Sequence, residues 1–346
     1  MNTGRHVSMV IPGLFGPPGI KQLPEAWRDL SLPALEGLLS RSRRDKVEGS
    51  TLEQTLFGLF HYAAGHDHDL PVAAVTRQFD VQDAAGYWWL RADPVHLRAD
   101  RDRIVMVGNN VLDISTEECQ AIALELNRHF ADEDWHLDAR NARRWYLRLD
   151  EEAQIVTEAL PDVVGQDILH SMPHGLAERL WRRLMNEVQM VLHSSRVNKE
   201  REARGALPIN SLWFWGGGRL PCPVQVKWSQ VWSNDTLSQG LSSLARVACA
   251  SLPADAGEWL EDAAPGEHLM VWDGVREIIQ FSNVEGWREF LQSLHDAWLE
   301  PLLSALKQRR LAALCLYPVE GTIFRLSTGD ARRWWVRPRP LAQWLL

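Results

Sequence analysis

The chain of 346 residues is poor in cysteine, with four. Cys119, Cys222, Cys249 and Cys315 are scattered with no CxxC pair, which excludes a disulfide framework and a thiolate zinc site and predicts free, buried thiols. Long hydrophobic runs are lacking too. The longest, such as Leu311 to Tyr317, fall far short of the ~20 residues a membrane helix requires. The segment Met1 to Pro12 has no signal-peptide h-region, so residence in the cytoplasm is expected. Positive charge is in deficit: 37 Lys and Arg stand against 45 Asp and Glu, a formal net charge of −8. Such a chain has no general attraction for nucleic acid or an anionic membrane, and any contact of that kind has to be local. Internal repeats, low-complexity tracts and long linkers are absent as well.

What is present is an apolar fraction of 45%, enough for a sizeable buried core, and 17 tryptophans. Several indoles have an aromatic neighbour: Trp88 with Trp89, Trp334 with Trp335, and Trp145 with Tyr146. On a strand such neighbours face opposite sides, one ring in the core and one outward.

Residues 6–11 read as a buried strand ended by Pro12 and Gly13, and 32–42 as an amphipathic helix opened by Ser31 and Pro33. A second helix is expected over 51–62 and a second strand over 70–75. From Tyr87 to about Leu149 the pattern becomes short alternating strands (87–92, 95–98, 104–107, 143–149) around a helix at 116–130. A helix at 174–193 then leads back to strands at 211–215, 224–232, 268–272 and 311–317, with helices at 237–248 and 287–309. Alternation of this kind predicts a layered α/β core, residues 1–86 and 195–346, carrying an inserted smaller α+β domain over 87–194.

The stretch from Val197 to Pro221 is the most specific part of the sequence. A charged helix end passes into an apolar strand and then into Gly216, Gly217 and Gly218, where backbone N–H groups can face an anion with no side chain in the way. A tight turn is the plainer role. Asn198, Arg201, Gly205, Pro208, Asn210, Trp213, Trp215, Gly216, Gly218 and Pro221 stand at the spacing of a signature of the archaeal-type cofactor-independent phosphoglycerate mutases, a branch of the alkaline phosphatase superfamily. The chain resembles that family, and most closely its bacterial RpfE-type regulatory proteins. Gly217 and Arg219 stand where the family often has Gln and Lys. The resemblance is collinear over most of the chain, and it implies an alkaline-phosphatase-like core.

The same resemblance implies a site of two divalent metals held by aspartates and histidines at strand ends. Here Pro12 replaces the first-strand Asp, and the terminal Asp-His pair falls near Tyr317 and Pro318. Asp273 is kept, but the His four residues on is Glu277, so Asp273 and Glu277 are weak metal candidates. Ser50 stands at the position of the phosphorylated nucleophile, at a helix start. Its plainer role is an N-cap, with Glu53 closing a capping box. Arg98 resembles the arginine beside the phosphate in the family pattern, and Arg98 with Arg219 and the glycine amides would form an anion cradle.

Two further features carry ligand or stacking side chains. His66, Asp67, His68 and Asp69, with His61 more distant, carry metal-ligand types, though a polar loop explains them. Residues 331–344 interleave Arg332, Arg333, Arg337 and Arg339 with tryptophans, a texture compatible with single-stranded nucleic acid, yet they read better as a charged edge strand.

The expectation is a mutase-related protein that has lost the two-metal centre and binds an anionic small molecule or a protein partner through Arg98, Asn210, Gly216, Gly217, Gly218 and Arg219, with no cofactor and no membrane or nucleic-acid partner. The alternative is an active metal-dependent phosphoglycerate mutase or phosphatase that uses Ser50 as nucleophile with Mn or Zn.

Overall fold

The computed structural model describes residues 4–47, 49–62, 68–101 and 103–345. Among these, the strands in chain order are β1 (Arg5–Val10), β2 (Arg43–Lys46), β3 (Trp88–Asp100), β4 (Arg103–Val107), β5 (His136–Asp138), β6 (Tyr146–Leu149), β7 (Ser211–Gly218), β8 (Gln230–Ser233), β9 (Cys249–Ala250), β10 (Gly266–Val271), β11 (Ala313–Tyr317) and β12 (Thr322–Ser327). The chain divides into two compact units, one of residues 1–61 and 223–346 and one of Tyr62–Cys222.

The first unit is a seven-stranded sheet of order β2-β12-β11-β1-β10-β8-β9. Its run β11-β1-β10-β8-β9 is parallel, and β12 and β2 extend it antiparallel. Parallel pairing follows from the intervening helices, which return the chain to the same end of the sheet. One face presents Val7, Met9, Ile11, Met270, Leu314, Leu316, Phe324 and Leu326 to the helices Pro33–Arg41, Ala256–Asp262, Val284–Leu294 and Glu300–Lys307. Leu35, Leu39, Trp259, Trp287, Leu302 and Leu306 are wholly buried there, and each contributes about 1.5–3 kcal/mol of apolar burial.

The expected helix at 287–309 is two α-helices, Val284–Leu294 and Glu300–Lys307, joined by a π-helical turn at His295–Leu299. The segment after β12 is no edge strand: a short helix, Thr328–Ala331, is followed by irregular chain that places the prolines. β12, Thr322–Ser327, is a further strand that the sequence reading does not include.

The second unit is built on β3, whose 13 residues pair antiparallel with β4, β6 and β7, while β5 pairs with β6. The two strands expected at 87–92 and 95–98 are thus one. The apolar run at 70–75 forms the beginning of a helix, Val72–Val81, because Pro71 supplies a fixed φ at its start and Thr76 bonds back to the Val72 carbonyl at 2.8 Å. β7 joins this sheet rather than the parallel one, by pairing with β3 from Trp89↔Gly218 to Val95↔Ser211. The unit therefore extends to Tyr62 and Cys222, beyond the expected limits of 87 and 194, since both the helix Val72–Val81 and β7 pack on β3.

The thiols differ from expectation: Cys119 is buried, Cys315 half-buried, and Cys222 and Cys249 are exposed. Trp89 is buried and Trp88 half-buried, as a strand pair requires, whereas Trp145 and Tyr146 are both buried.

Candidate functional site

In open α/β sheets a ligand crevice lies at the carboxyl ends of the parallel strands. In the first unit those ends are Ile11–Pro12 after β1, Asp235 after β8, Trp272–Asp273 after β10, and Tyr317–Pro318 after β11. The Ile11 amide bonds the Tyr317 carbonyl at 2.9 Å and the Trp272 amide bonds the Val10 carbonyl at 3.0 Å, which keeps the three ends level.

Ser50 is exposed at the start of the helix Leu52–Leu59. It is not the N-cap. Thr51 caps, accepting from the Gln54 amide at 3.2 Å, and Gln54 rather than Glu53 closes the capping box through its Oε1, which also accepts the Ser50 amide at 2.9 Å. Glu53 is turned inward, 6% exposed, and its carboxylate accepts from both guanidinium nitrogens of Arg276, at 2.8 and 3.4 Å. Arg276 lies in the short helix Val275–Gln280, between Asp273 and the exposed Glu277.

Asp235 accepts from the Ser238 amide at 2.7 Å and the Ser238 hydroxyl at 2.8 Å, capping the helix Thr236–Leu244. Burial holds its carboxyl above the ordinary range; the Ser238 bonds and the Arg276 charge act the other way, while the Asp273 charge adds to the rise. Asp235, Asp273, Arg276 and Glu53 therefore form one interacting group; the sequence offers Asp273 as a metal candidate and Glu53 as a capping residue, not as the partner of Arg276. The place of Asp235 three residues before Ser238 at a helix start is a signal for it, and Arg276 carries none.

Glu320 stands in the turn between β11 and β12, next to Val319, whose φ of 68° is unusual for a β-branched residue. Burial alone raises its carboxyl to about 7.

The glycine segment lies in the second unit. Gly216 to Gly218 are the buried end of β7 rather than a turn. Their amides face an anion that belongs to the chain: the Gly217 N–H donates to Asp69 Oδ2 at 3.1 Å, and Gly216 N–H donates to Thr157 Oγ1 at 3.1 Å. The Thr157 hydroxyl and amide in turn donate to Asp69. Burial raises the Asp69 carboxyl above its ordinary value, against these hydrogen bonds. A Cβ on Gly218 would meet Pro71 Cβ at 2.6 Å, and one on Gly216 would meet Val72 Cβ at 2.9 Å. Close approach of the helix Val72–Val81 to β7 thus requires these glycines.

The rest of the signature is also engaged. Asn198 bonds the Leu192 carbonyl and both the amide and carbonyl of Ile209. Arg201, wholly buried, donates to the Leu207 and Leu112 carbonyls and to Glu118. Asn210 clasps Leu97 in β3 through the amide at 2.7 Å and the carbonyl at 2.8 Å. Trp215 Nε1 donates to the buried Asp93 at 2.8 Å.

Arg98 is exposed at one end of the β3–β7 pair and Arg219 follows the other. Arg98 lies nine positions along β3 from Trp89, the partner of Gly218, which at strand rise is roughly 30 Å, so the two arginines do not share a cradle. Arg219 donates to the Gly86 and Asp150 carbonyls at 2.8 and 2.9 Å. Of the HDHD run, His66 and Asp67 lie outside the described residues; His68 pairs with Glu152 at 3.2 Å, and Asp69 is the carboxylate under the glycines. The described ligands do not converge on one point.

Among the described residues one group of three metal-ligand types comes together, His295 and Asp296 in the π-helical turn and Glu300 at the start of the helix Glu300–Lys307. His295 Nε2 accepts the Ala34 amide at 3.1 Å, so the proton resides on Nδ1, which is 2.8 Å from Asp296 Oδ1. Both ring nitrogens are thereby engaged, Nε2 in bracing the start of the helix Pro33–Arg41, whose own N-cap Leu32 has no side-chain acceptor, and Nδ1 with Asp296.

Comparison with known proteins extends this picture. Residues 71–198 match the family model described as 2,3-bisphosphoglycerate-independent phosphoglycerate mutase, a segment inside the second unit. The chain is 38% identical over 60 residues to a probable 2,3-bisphosphoglycerate-independent phosphoglycerate mutase of Geobacter sulfurreducens, covering 17% of this chain and 15% of that protein. It is 28% identical over 110 residues to the corresponding mutase of Methanosarcina barkeri, covering 31% and 28%. These matches therefore span less than a third of the curated relatives. In fold, the PH0037 protein of Pyrococcus horikoshii superposes with a TM-score of 0.54 at 11% identity, over 94% of this chain and 88% of that one. Over residues 71–198 the chain is phosphoglycerate-mutase-like in sequence, and its layered α/β core with an inserted α+β unit is alkaline-phosphatase-like in fold.

Proposed function

We propose that this chain is a mutase-related protein of the RpfE-type regulatory branch that has given up two-metal phosphoryl chemistry and works by binding an anionic small molecule or a protein partner, without a cofactor. The observation that carries this reading is the makeup of the strand ends in the first unit. β1 runs into Pro12 and β11 into Pro318, neither of which offers a side-chain ligand. Two of the carboxylates close by are committed to protein groups, Glu53 to Arg276 and Asp235 to Ser238. A divalent pair needs three or more donors per ion; Asp273 and Glu320 fall short of that number, and recruiting Glu53 or Asp235 would break a buried contact.

The exposed position of Ser50 at a helix start favours the second reading, a metal-dependent mutase or phosphatase with Ser50 as nucleophile and Mn or Zn as the metal. One experiment separates them. The purified protein is analysed for metal and assayed for interconversion of 2- and 3-phosphoglycerate with added Mn, beside Ser50→Ala. The expected result is substoichiometric metal and no interconversion by either protein. Stoichiometric metal together with turnover that Ser50→Ala abolishes would overturn the binding reading.

A further inference from the structure

Trp334 and Trp335 are 83% and 64% exposed, while Trp145, Trp213, Trp259 and Trp287 are buried almost completely. Two adjacent exposed indoles leave a large apolar area in water, which on a folded surface marks a contact site. Their presentation is specific. The Val336 amide bonds the Arg333 carbonyl at 3.1 Å, closing a turn with the two tryptophans at its central positions, their rings 6.1 Å apart and perpendicular at 85°. The turn is pinned from behind: Arg41 Nε donates to the Arg333 carbonyl at 3.1 Å, Arg332 to the Lys307 carbonyl at 2.7 Å, and the Arg339 amide to Ser40 Oγ at 2.8 Å.

Around this tip lie Arg332, Arg333, Arg337 and Arg339, with Arg41 and Arg44 on the packed side. Three carboxylates answer them from the packed side: Asp330 holds Arg333, Glu36 accepts the Leu341 amide, and Asp45 beside Arg44 is paired with Arg325. Burial first, and then the charge of Arg339, holds the Arg44 guanidinium below its ordinary value. In a chain of net charge −8 this is a concentrated local field of opposite sign, and it calls for an anionic partner.

Two anionic surfaces accept aromatic and cationic side chains together. Single-stranded nucleic acid is tracked by a groove in which successive bases stack on exposed ring faces. Here the rings are perpendicular, at the tip of a turn whose flanks carry Pro338 and Pro340. An indole pair at a tip ringed by arginines matches instead the headgroup layer of a bilayer, where Trp enters the apolar boundary and Arg stays with the phosphates.

We propose that the Trp334–Trp335 turn and its arginines form a docking surface for anionic phospholipid membranes. The test is flotation of the full chain with vesicles of phosphatidylcholine alone and with roughly one-third phosphatidylglycerol. Binding is expected to the anionic vesicles, to fall in high salt, and to weaken at least about tenfold in Trp334→Ala/Trp335→Ala. Arg337→Ala and Arg339→Ala should each weaken it about fivefold. Both indoles are exposed, so the double variant keeps the fold, which circular dichroism checks. Equal recovery with and without anionic lipid, unchanged binding by the double variant, or oligonucleotide binding through these residues with none to vesicles would each overturn the proposal.

Discussion

Glu320 offers a quantitative test of how the edge of the parallel sheet is built. Among the described residues its carboxylate has no hydrogen bond or ion pair, and burial raises its pKa from an ordinary 4.5 to about 7. Because the folded state holds the proton more tightly than the unfolded chain, this group costs nothing below pH 4.5. Between 4.5 and about 7 it lowers stability as pH rises, and above that its cost is constant. At 1.36 kcal/mol per pH unit the full displacement corresponds to ~3 kcal/mol, and the water that reaches a half-buried side chain reduces this to about 2 kcal/mol. Glu320→Gln removes the ionisation and keeps the shape. Urea unfolding of both proteins, followed by tryptophan fluorescence from pH 4 to pH 8, should show near-equal stability at the acid end and a variant more stable by about 2 kcal/mol at pH 8. A difference that does not change with pH, or one that favours the wild type at pH 8, would refute the account of a desolvated, uncompensated carboxyl.

Three further outcomes follow from the contacts. Gly218→Ala places a Cβ within 2.6 Å of Pro71 Cβ, and should destabilise the second unit by about 1–3 kcal/mol through overpacking, read by chemical denaturation. Arg276→Ala leaves Glu53 buried without its partner, and should cost about 3–5 kcal/mol, with Glu53→Gln in the same background recovering part of it. Asp69→Asn presents an amide N–H to a donor from Gly217 or Thr157; a loss of roughly 1–3 kcal/mol and faster hydrogen exchange at Gly217 are expected.

Much of the local structure was legible in residue order. Apolar periodicity located β1, β4 and β10 and the helices Pro33–Arg41, Thr116–His129 and Glu178–Ser194, since each buries one face or is buried on both. The apolar run at 70–75 misled because a buried strand and the first turns of a buried helix have the same composition, and Pro71 decides between them only once the chain beyond it is helical. At the start of the helix Leu52–Leu59, Ser50 and Thr51 are equivalent caps by type, and the backbone angle of Thr51 selects it.

Sequence by itself determined that the chain alternates strands and helices with an interruption, and that a signature of Asn, Arg, Trp and Gly residues occupies 198–221. Only the tertiary structure decided what those residues hold. Hydrogen-bond donors carry no label for their acceptor: of the glycine amides that could face a ligand's anion, that of Gly217 meets the Asp69 carboxylate, brought from more than a hundred residues away along the chain, and that of Gly216 meets the Thr157 hydroxyl. The pairing of β7 with β3, the Glu53–Arg276 contact and the outward turn of Trp334 and Trp335 are likewise long-range outcomes, fixed by which surfaces pack together and leave no record in the local pattern.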